Sequence, residues 1–343
     1  MQHSPVFIKL LELLALFKEA SLRLSALDNQ TAHFELLNQS FKMLPEHKGA
    51  YFRTTAERYA KVIQQFSFVS LVCRRKIDAI NEIILFAIET QNAIALAQGA
   101  RSLIEHVAVH AEITRALEQF ESQIKGQTEG AKIHDAISKA EVFLARCYFG
   151  KSPKIEVEQS KKALHIQDCI KTLDREASDF SDWYNFLCEF VHPNHGSNSL
   201  VSSVDLGNQI NSILTDLNRP ETQRMAEIVK SALLVGEQIA IRGHAFIAYL
   251  GEYSDRFKQP KSKISNIFAE RKIKPIGDGK TKETALYFEG SRDEKETREL
   301  CHQYFENRKI QVLRRQLAAI EGDFAFDLYE TTQGQIWQRI VIP

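Results

Sequence analysis

The sequence predicts a mainly α protein: an antiparallel helical bundle followed by a small α+β domain. Three observations carry that expectation. Helix-breaking residues are scarce, because the 343 residues include only 15 Gly and 8 Pro, with no Pro between Pro45 and Pro153 and neither residue between Gly49 and Gly99. A helical period runs through Ile77, Ile80, Ile84 and Ala87, and again through Leu103, Val107, His110, Thr114 and Leu117. Composition then changes near residue 256, and beyond it the apolar residues alternate with a period of two.

Taken in order, helices are predicted over 5–27, 30–44, 50–98 with one break near Ser67–Ser70, 100–122, 130–148, 157–177, 179–192, 198–216 and 219–254. Ser178, just before Asp179, reads as a cap, and Asn218-Arg219-Pro220-Glu221 puts a proline in a first turn, where its missing N–H costs nothing. Short polar connections imply that successive helices pack antiparallel, so residues 1–255 form the bundle. Arg256 to Lys282 holds nine basic and two acidic residues, a local excess of seven, and reads as a basic linker over 256–282. Lys261, Lys263, Arg271, Lys272 and Lys274 in it are candidate nucleic-acid contacts, interleaved with Phe257, Ile264, Ile267 and Phe268. The remainder, 283–343, reads as the α+β domain. Thr284–Phe288 is a strand, Arg292–Ile320 one or two charged helices, and Asp323–Glu330 with Gln335–Ile342 a hairpin around Thr331-Thr332-Gln333-Gly334.

Composition excludes several function classes. With 44 basic and 44 acidic side chains the formal net charge is zero, so any nucleic-acid contact must be local rather than spread over the chain. Five widely spaced cysteines without a C-x-x-C pair argue against a disulfide framework or a thiolate zinc site and for reduced core thiols. The N-terminal helix carries Lys9, Glu12, Lys18 and Glu19, unlike a signal peptide, and the most apolar stretches, 83–88 and 232–250, are broken by charge. A cytoplasmic protein that does not enter the membrane is expected. His106 and His110 share a helix face as zinc ligands can, with Glu105 and Glu112 adjacent. Yet the glutamate of an H-E-x-x-H site is missing and His110 falls on the apolar stripe. No metal and no cofactor are expected. Gly277-Asp278-Gly279-Lys280-Thr281 lacks the spacing and the preceding strand of a phosphate loop.

Two segments carry candidate chemistry. In 100–122 almost no polar face is left, so Arg101 and Glu105, at i and i+4 and flanked by Ala97 and Ala108, must pair either as a structural ion pair or as part of a cleft. In 179–192, Trp183, Phe186, Leu187 and Phe190 form a core stripe, while Asn185, Glu189 and His192 occupy another face. Pro193 stops this helix at His192, leaving an imidazole at a helix end beside the polar loop of Asn194 and His195, as a general acid or base or merely as a cap on the last carbonyls.

The run Arg101-Ser102-Leu103-Ile104-Glu105, the segment from Tyr184 to Val191-His192-Pro193, and the helix end from Leu144 to Gly150 together resemble the HEPN-like helical superfamily, particularly a bacterial branch with these two segments. The resemblance covers about residues 65–215. It implies a bundle of four or five helices that forms a homodimer, and metal-independent endoribonuclease chemistry through an Arg-x4-6-His motif, in stress or phage defence. Arg101 and His106 fit that spacing, with Ser102 where the family usually has Asn; His192 is the other candidate partner of Arg101 and Glu105. His192 or His106 would deprotonate a ribose 2′-hydroxyl and Arg101 would stabilise the phosphorane. Glu105 would orient them, and Asn194, His195 and Tyr184 would hold substrate. The rival expectation is a non-catalytic dimeric scaffold in which the same Arg, Glu and His are structural.

Overall fold

The structure, a computed structural model, describes residues 4–26, 50–125, 127, 130–151, 162–193, 195–202, 217–252, 264–273, 282–292, 294–321, 324–332 and 334–341. Among them are nine helices: α1 Pro5–Ala26, α2 Ala50–Glu89, α3 Ala93–Ile124, α4 Gly130–Phe149, α5 Ile166–Glu176, α6 Phe180–Val191, the single turn α7 His195–Ser199, α8 Pro220–Glu252 and α9 Glu294–Asn307. Five strands follow the bundle: β1 Ile264–Ile273, β2 Lys282–Arg292, β3 Val312–Glu321, β4 Phe324–Thr331 and β5 Gly334–Val341. The chain is mainly helical, as expected. The helix predicted over 30–44, residues 157–161 of that over 157–177 and most of that over 198–216 lie outside the described residues; within 162–177 the helix is α5, from Ile166 to Glu176.

The first long helix does not break at Ser67–Ser70, because serine there leaves the buried stripe Phe66, Val69, Cys73 intact. It stops later, where Gln91 enters the left-handed region (φ 58). The N–H of Asn92 then bonds Ala87 O at 2.8 Å and that of Gln91 bonds Ile88 O at 3.2 Å, the pattern of a Schellman stop. Asn92 Oδ1 accepts from Ala95 N at 2.9 Å and so caps α3. Between α5 and α6 the cap is not Ser178: Asp174, in the helix before, accepts from Ser181 N at 3.0 Å. His192 ends α6 in extended backbone (φ −84, ψ 149), the conformation Pro193 requires.

By spatial proximity the chain divides into two units, Met1–His33 with Gln64–Glu118 and Val142–Ala248, and Phe34–Ile63 with Gln119–Glu141 and Tyr249–Pro343. The division does not follow the composition change near 255, because α2, α3 and α4 each give residues to both units. In the first unit α2 and α3 run antiparallel: Cys73 Sγ donates to His106 O at 3.3 Å, and further along α2 Ile84 faces Gly99, earlier on α3. α2 and α4 run parallel, with Phe66 stacked on Phe143 at 6.4 Å and the Phe68 ring tilted against that of Tyr148 at 5.4 Å. α3 and α8 are also parallel, since a Cβ at Gly236 would stand 3.0 Å from Val107 and one at Gly243 3.0 Å from Thr114 Oγ1. α3 is central: Ala97, Ala100, Leu103, Ile104, Val107, Ala108 and Ala111 are all fully buried, and each of the larger ones stabilises the fold by about 1.5–3 kcal/mol.

In the second unit β3, β4 and β5 form an antiparallel meander, and β1 pairs antiparallel with β2. The expected hairpin is β4–β5, closing with Thr331 opposite Gly334. Two expectations need correction. The basic segment 256–282 is not all linker, since β1 pairs with β2 from Ile264 opposite Arg292 to Ile273 opposite Lys282. The charged stretch after Arg292 is helical only to Asn307; from Val312 it is β3, fixed by pairing with β4, which the local charge pattern does not reveal. Phe305, Ile310 and Tyr329 make a small core there.

The contact at Gly99 yields a test. A Cβ there would lie 2.7 Å from Ile84 Cγ1, so Gly99→Ala should lower unfolding free energy by about 1–3 kcal/mol through overpacking, although alanine favours a helix interior by about 1 kcal/mol. Urea denaturation measures it, and a stabilised variant would show that α2 has room to withdraw.

Candidate functional site

The enclosed middle of α3 leaves one mixed polar group on its α6 side. Arg101 Nε donates to Glu105 Oε1 at 3.1 Å and Nη2 to the Tyr184 hydroxyl at 3.1 Å. That hydroxyl in turn donates to Glu105 Oε1 at 3.0 Å, closing a triangle. The guanidinium also lies over the Tyr184 ring, 5.3 Å from its centroid. Burial opposes the charge on Arg101, but the hydrogen bond to Tyr184 and the Glu105 carboxylate outweigh it and hold the guanidinium above its ordinary pKa. Burial likewise pushes the Tyr184 phenol up, so it keeps the proton it donates to Glu105. Tyr184 is buried, whereas the Arg101 and Glu105 side chains keep 23% and 29% exposure. The group is thus a fixed cation that solvent reaches.

The other residues singled out from the sequence divide. His106 is half-buried, and its Nδ1 lies 2.8 Å from Ser102 O. A carbonyl only accepts, so Nδ1 carries a proton and in the neutral ring Nε2 keeps a lone pair. Five residues on from Arg101, it is turned about 140° around α3 and does not share Arg101's face. His192 is exposed at the end of α6, about 12 Å along that helix from Tyr184 at 1.5 Å per residue, and no hydrogen bond among the described residues joins it to the triangle. Asn194, Lys261, Lys263 and Lys274 lie outside the described residues, as does the side chain of His195, which begins α7. Arg271 and Lys272 stand on β1, opposite Thr284 and Glu283.

Three arginine clusters escaped sequence reasoning. Arg242 on α8 forks onto Glu176 of α5 at 2.7 and 2.9 Å and pairs with Glu118 of α3 at 2.9 Å. Arg74 of α2 pairs with Glu237 of α8 beside His110. In the second unit Arg58 reaches Glu141 at 2.7 Å, Ser138 at 3.1 Å and His134 Nδ1 at 3.2 Å, while His134 Nε2 lies 2.9 Å from Thr55 Oγ1. Arginine only donates, so His134 Nδ1 accepts and Nε2 donates to Thr55; the imidazole is no base for that hydroxyl. The available signal was a charged or imidazole side chain on an apolar stripe, which demands a partner without naming it.

The described thiols are free, and burial pushes Cys73, Cys147 and Cys169 up to about 12, which makes them poor nucleophiles. Among the described residues no three His, Cys, Asp or Glu side chains gather as a metal site, and no helix is long and apolar enough to cross a membrane. A cleft of about 310 Å³, lined by α1 and α2 residues including Lys18, Arg75, Asp78 and Glu82, holds none of the residues singled out above. No protein-family model, curated protein or solved structure matches the chain.

Two buried imidazoles give a pH prediction. Burial, reinforced by Arg74 and then His244 at His110, and by Arg58 at His134, lowers both to about 4. Each group is neutral when folded and takes a proton near pH 6.5 when unfolded, so stability is intact above that pH and falls as pH drops toward 4. Each site should cost about 2 kcal/mol between pH 7 and pH 5. Urea unfolding at the two pH values measures it; His110→Gln should remove about half of the drop, and unchanged stability would contradict the burial of both rings.

Proposed function

We propose that the protein acts on RNA as an HEPN-like, metal-independent endoribonuclease, with Arg101 as the cation that meets the scissile phosphate. The observation that carries this reading is the triangle itself: a guanidinium held by Glu105 and Tyr184 is oriented before substrate arrives and still reaches solvent. A preorganised cation needs no rearrangement as charge grows on a phosphorane, and guanidinium geometry suits phosphate oxygens. The matching residues Arg101 to Glu105 and Tyr184 to Pro193 support the same assignment, because two of their members, Glu105 and Tyr184, are those that grip Arg101.

Within this reading His192 takes the 2′-hydroxyl proton. It is exposed and stands at the end of the helix that carries Tyr184, whereas His106 is turned about 140° around α3 from Arg101. Glu105 positions Arg101 and does not itself move a proton. The lysines and arginines of 256–282 would add phosphate attraction. A homodimer and a cytoplasmic location belong to the same proposal.

A scaffold is the second reading, and one observation favours it: all three members of the triangle are satisfied by one another, as in a structural pin between α3 and α6. The two readings separate in one experiment. Purified protein incubated with single-stranded RNA in EDTA should cleave it, with Arg101→Ala and His192→Ala each slowed at least 100-fold while keeping the wild-type circular dichroism. Cleavage at the wild-type rate by His192→Ala would remove that residue from the mechanism. A wild-type protein without cleavage, together with a lowered melting temperature for Arg101→Ala, would leave the scaffold.

A further inference from the structure

A small cavity lies inside the first unit where α2, α3 and α8 meet. Its volume is about 10 Å³; Ile77, Val107 and Leu233 line it with apolar groups, and Arg74, His110 and Glu237 bring polar ones. Three polar atoms of those side chains are shut off from solvent and have no hydrogen-bond partner: Arg74 Nε, Arg74 Nη2 and His110 Nδ1. His110 keeps only 3% of its surface in water. Arg74 is engaged elsewhere, its Nη1 donating to Glu237 and its Nε standing 3.6 Å from Asp78 Oδ1, beyond hydrogen-bond length. A polar atom left dry and unpaired destabilises a fold, so three of them on side chains that share one cavity point to a ligand that pairs with them.

The donors and acceptors select that ligand. A guanidinium only donates, and Nε and Nη2 do so from one edge of the group, so the ligand carries an acceptor that can take two hydrogens. Arg74 already faces two carboxylates, Glu237 and Asp78, which leaves no positive charge for an anion to neutralise. A cation would stand against the guanidinium itself. A neutral ligand remains, and about 10 Å³ admits about one water and nothing larger. The ring opposite is neutral too, since burial first, then Arg74 and then His244 lower His110 to about 4. A neutral imidazole has one nitrogen without a hydrogen, and that nitrogen accepts what a water donates.

We propose that one water molecule is bound in this cavity, accepting from Arg74 Nε and Nη2 and donating to His110 Nδ1. With both lone pairs of its oxygen taken by the arginine, the water has only hydrogens left for the imidazole, so His110 is held as the tautomer protonated at Nε2. The water joins α2 to α3 where the two side chains do not bond each other, beside the pairing of α2 with α8 through Arg74 and Glu237. It is a fixed part of the bundle, and it stands whatever the protein acts on.

The test uses the full chain in solution and in crystals. Water–methyl Overhauser spectra should show a long-lived water beside the methyl groups of Val107 and Leu233, and a long-range nitrogen spectrum of the histidines at pH 7 should show His110 with Nδ1 bare and Nε2 protonated. Spectra without a bound water at these methyls overturn the proposal, and so does a proton on Nδ1. Crystals grown in sodium bromide separate water from an anion. A water peak within about 3.2 Å of the three atoms supports the assignment, whereas no peak, or an anomalous bromide peak at that position, overturns it.

Discussion

Enclosure of α3 is the constraint from which the rest follows. Between Ala97 and Ala111 its apolar side chains other than Val109 are fully buried, and Gly99 toward α2 and Gly236 and Gly243 of α8 bring backbones so close that no larger residue fits without displacement. A helix shut in this way has no water for its charged side chains, so each must find a protein partner or reach an edge. Arg101 finds Glu105 and Tyr184, Glu112 finds Arg115 and Thr172, and Glu118 finds Arg242. Every pairing also fastens a neighbouring helix, because the third member comes from α6, α5 or α8.

The same constraint separates the candidate site from the cluster at Arg74. Burial, reinforced by Arg74 and by Arg58, keeps His110 and His134 neutral; the space beside Arg74 and His110 is about 10 Å³, room for about one water, whereas Arg58 and Glu141 keep 22% and 32% exposure. The Arg101 triangle has equally tight geometry but lies at an edge, where the guanidinium keeps contact with solvent. Fixed geometry with access is what a phosphate-binding cation needs, and fixed geometry alone is what a structural pin needs. Exposure sets this cluster apart from Arg74, while the Arg58–Glu141 pair is equally exposed; what the Arg101 group adds is a tyrosine hydroxyl that closes it and its place in the two segments that carry candidate chemistry.

Much of the bundle was legible in the sequence because periodicity and helix ends are local. The ends at Ala26, Phe149, Val191 and Pro220 follow from apolar spacing and from Pro193 and Pro220 acting within one turn. What was missed depends on contacts distant in sequence. No local signal distinguishes Ser67–Ser70 from Gln91 as the place where α2 stops, since a non-glycine left-handed residue is chosen by how α3 packs back. β3 lies in a stretch with more helix-forming than strand-forming residues, and only pairing with β4 settles it. Of the site, Arg101 and Glu105 were legible as an i, i+4 pair on an apolar helix, and Tyr184 only as a member of a motif; that its hydroxyl closes the triangle requires α6 to return against α3.

Enclosure couples Arg101 to Tyr184, so that neither is free to act alone. A double-mutant cycle measures that coupling directly. Urea unfolding of wild type, Arg101→Met, Tyr184→Phe and the double variant should give an interaction energy of about 1 kcal/mol, reduced from that of a sealed pair by the solvent that reaches the arginine. Single-variant losses that add within about 0.3 kcal/mol would mean the two side chains do not hold each other, and the preorganised cation would lose its physical basis.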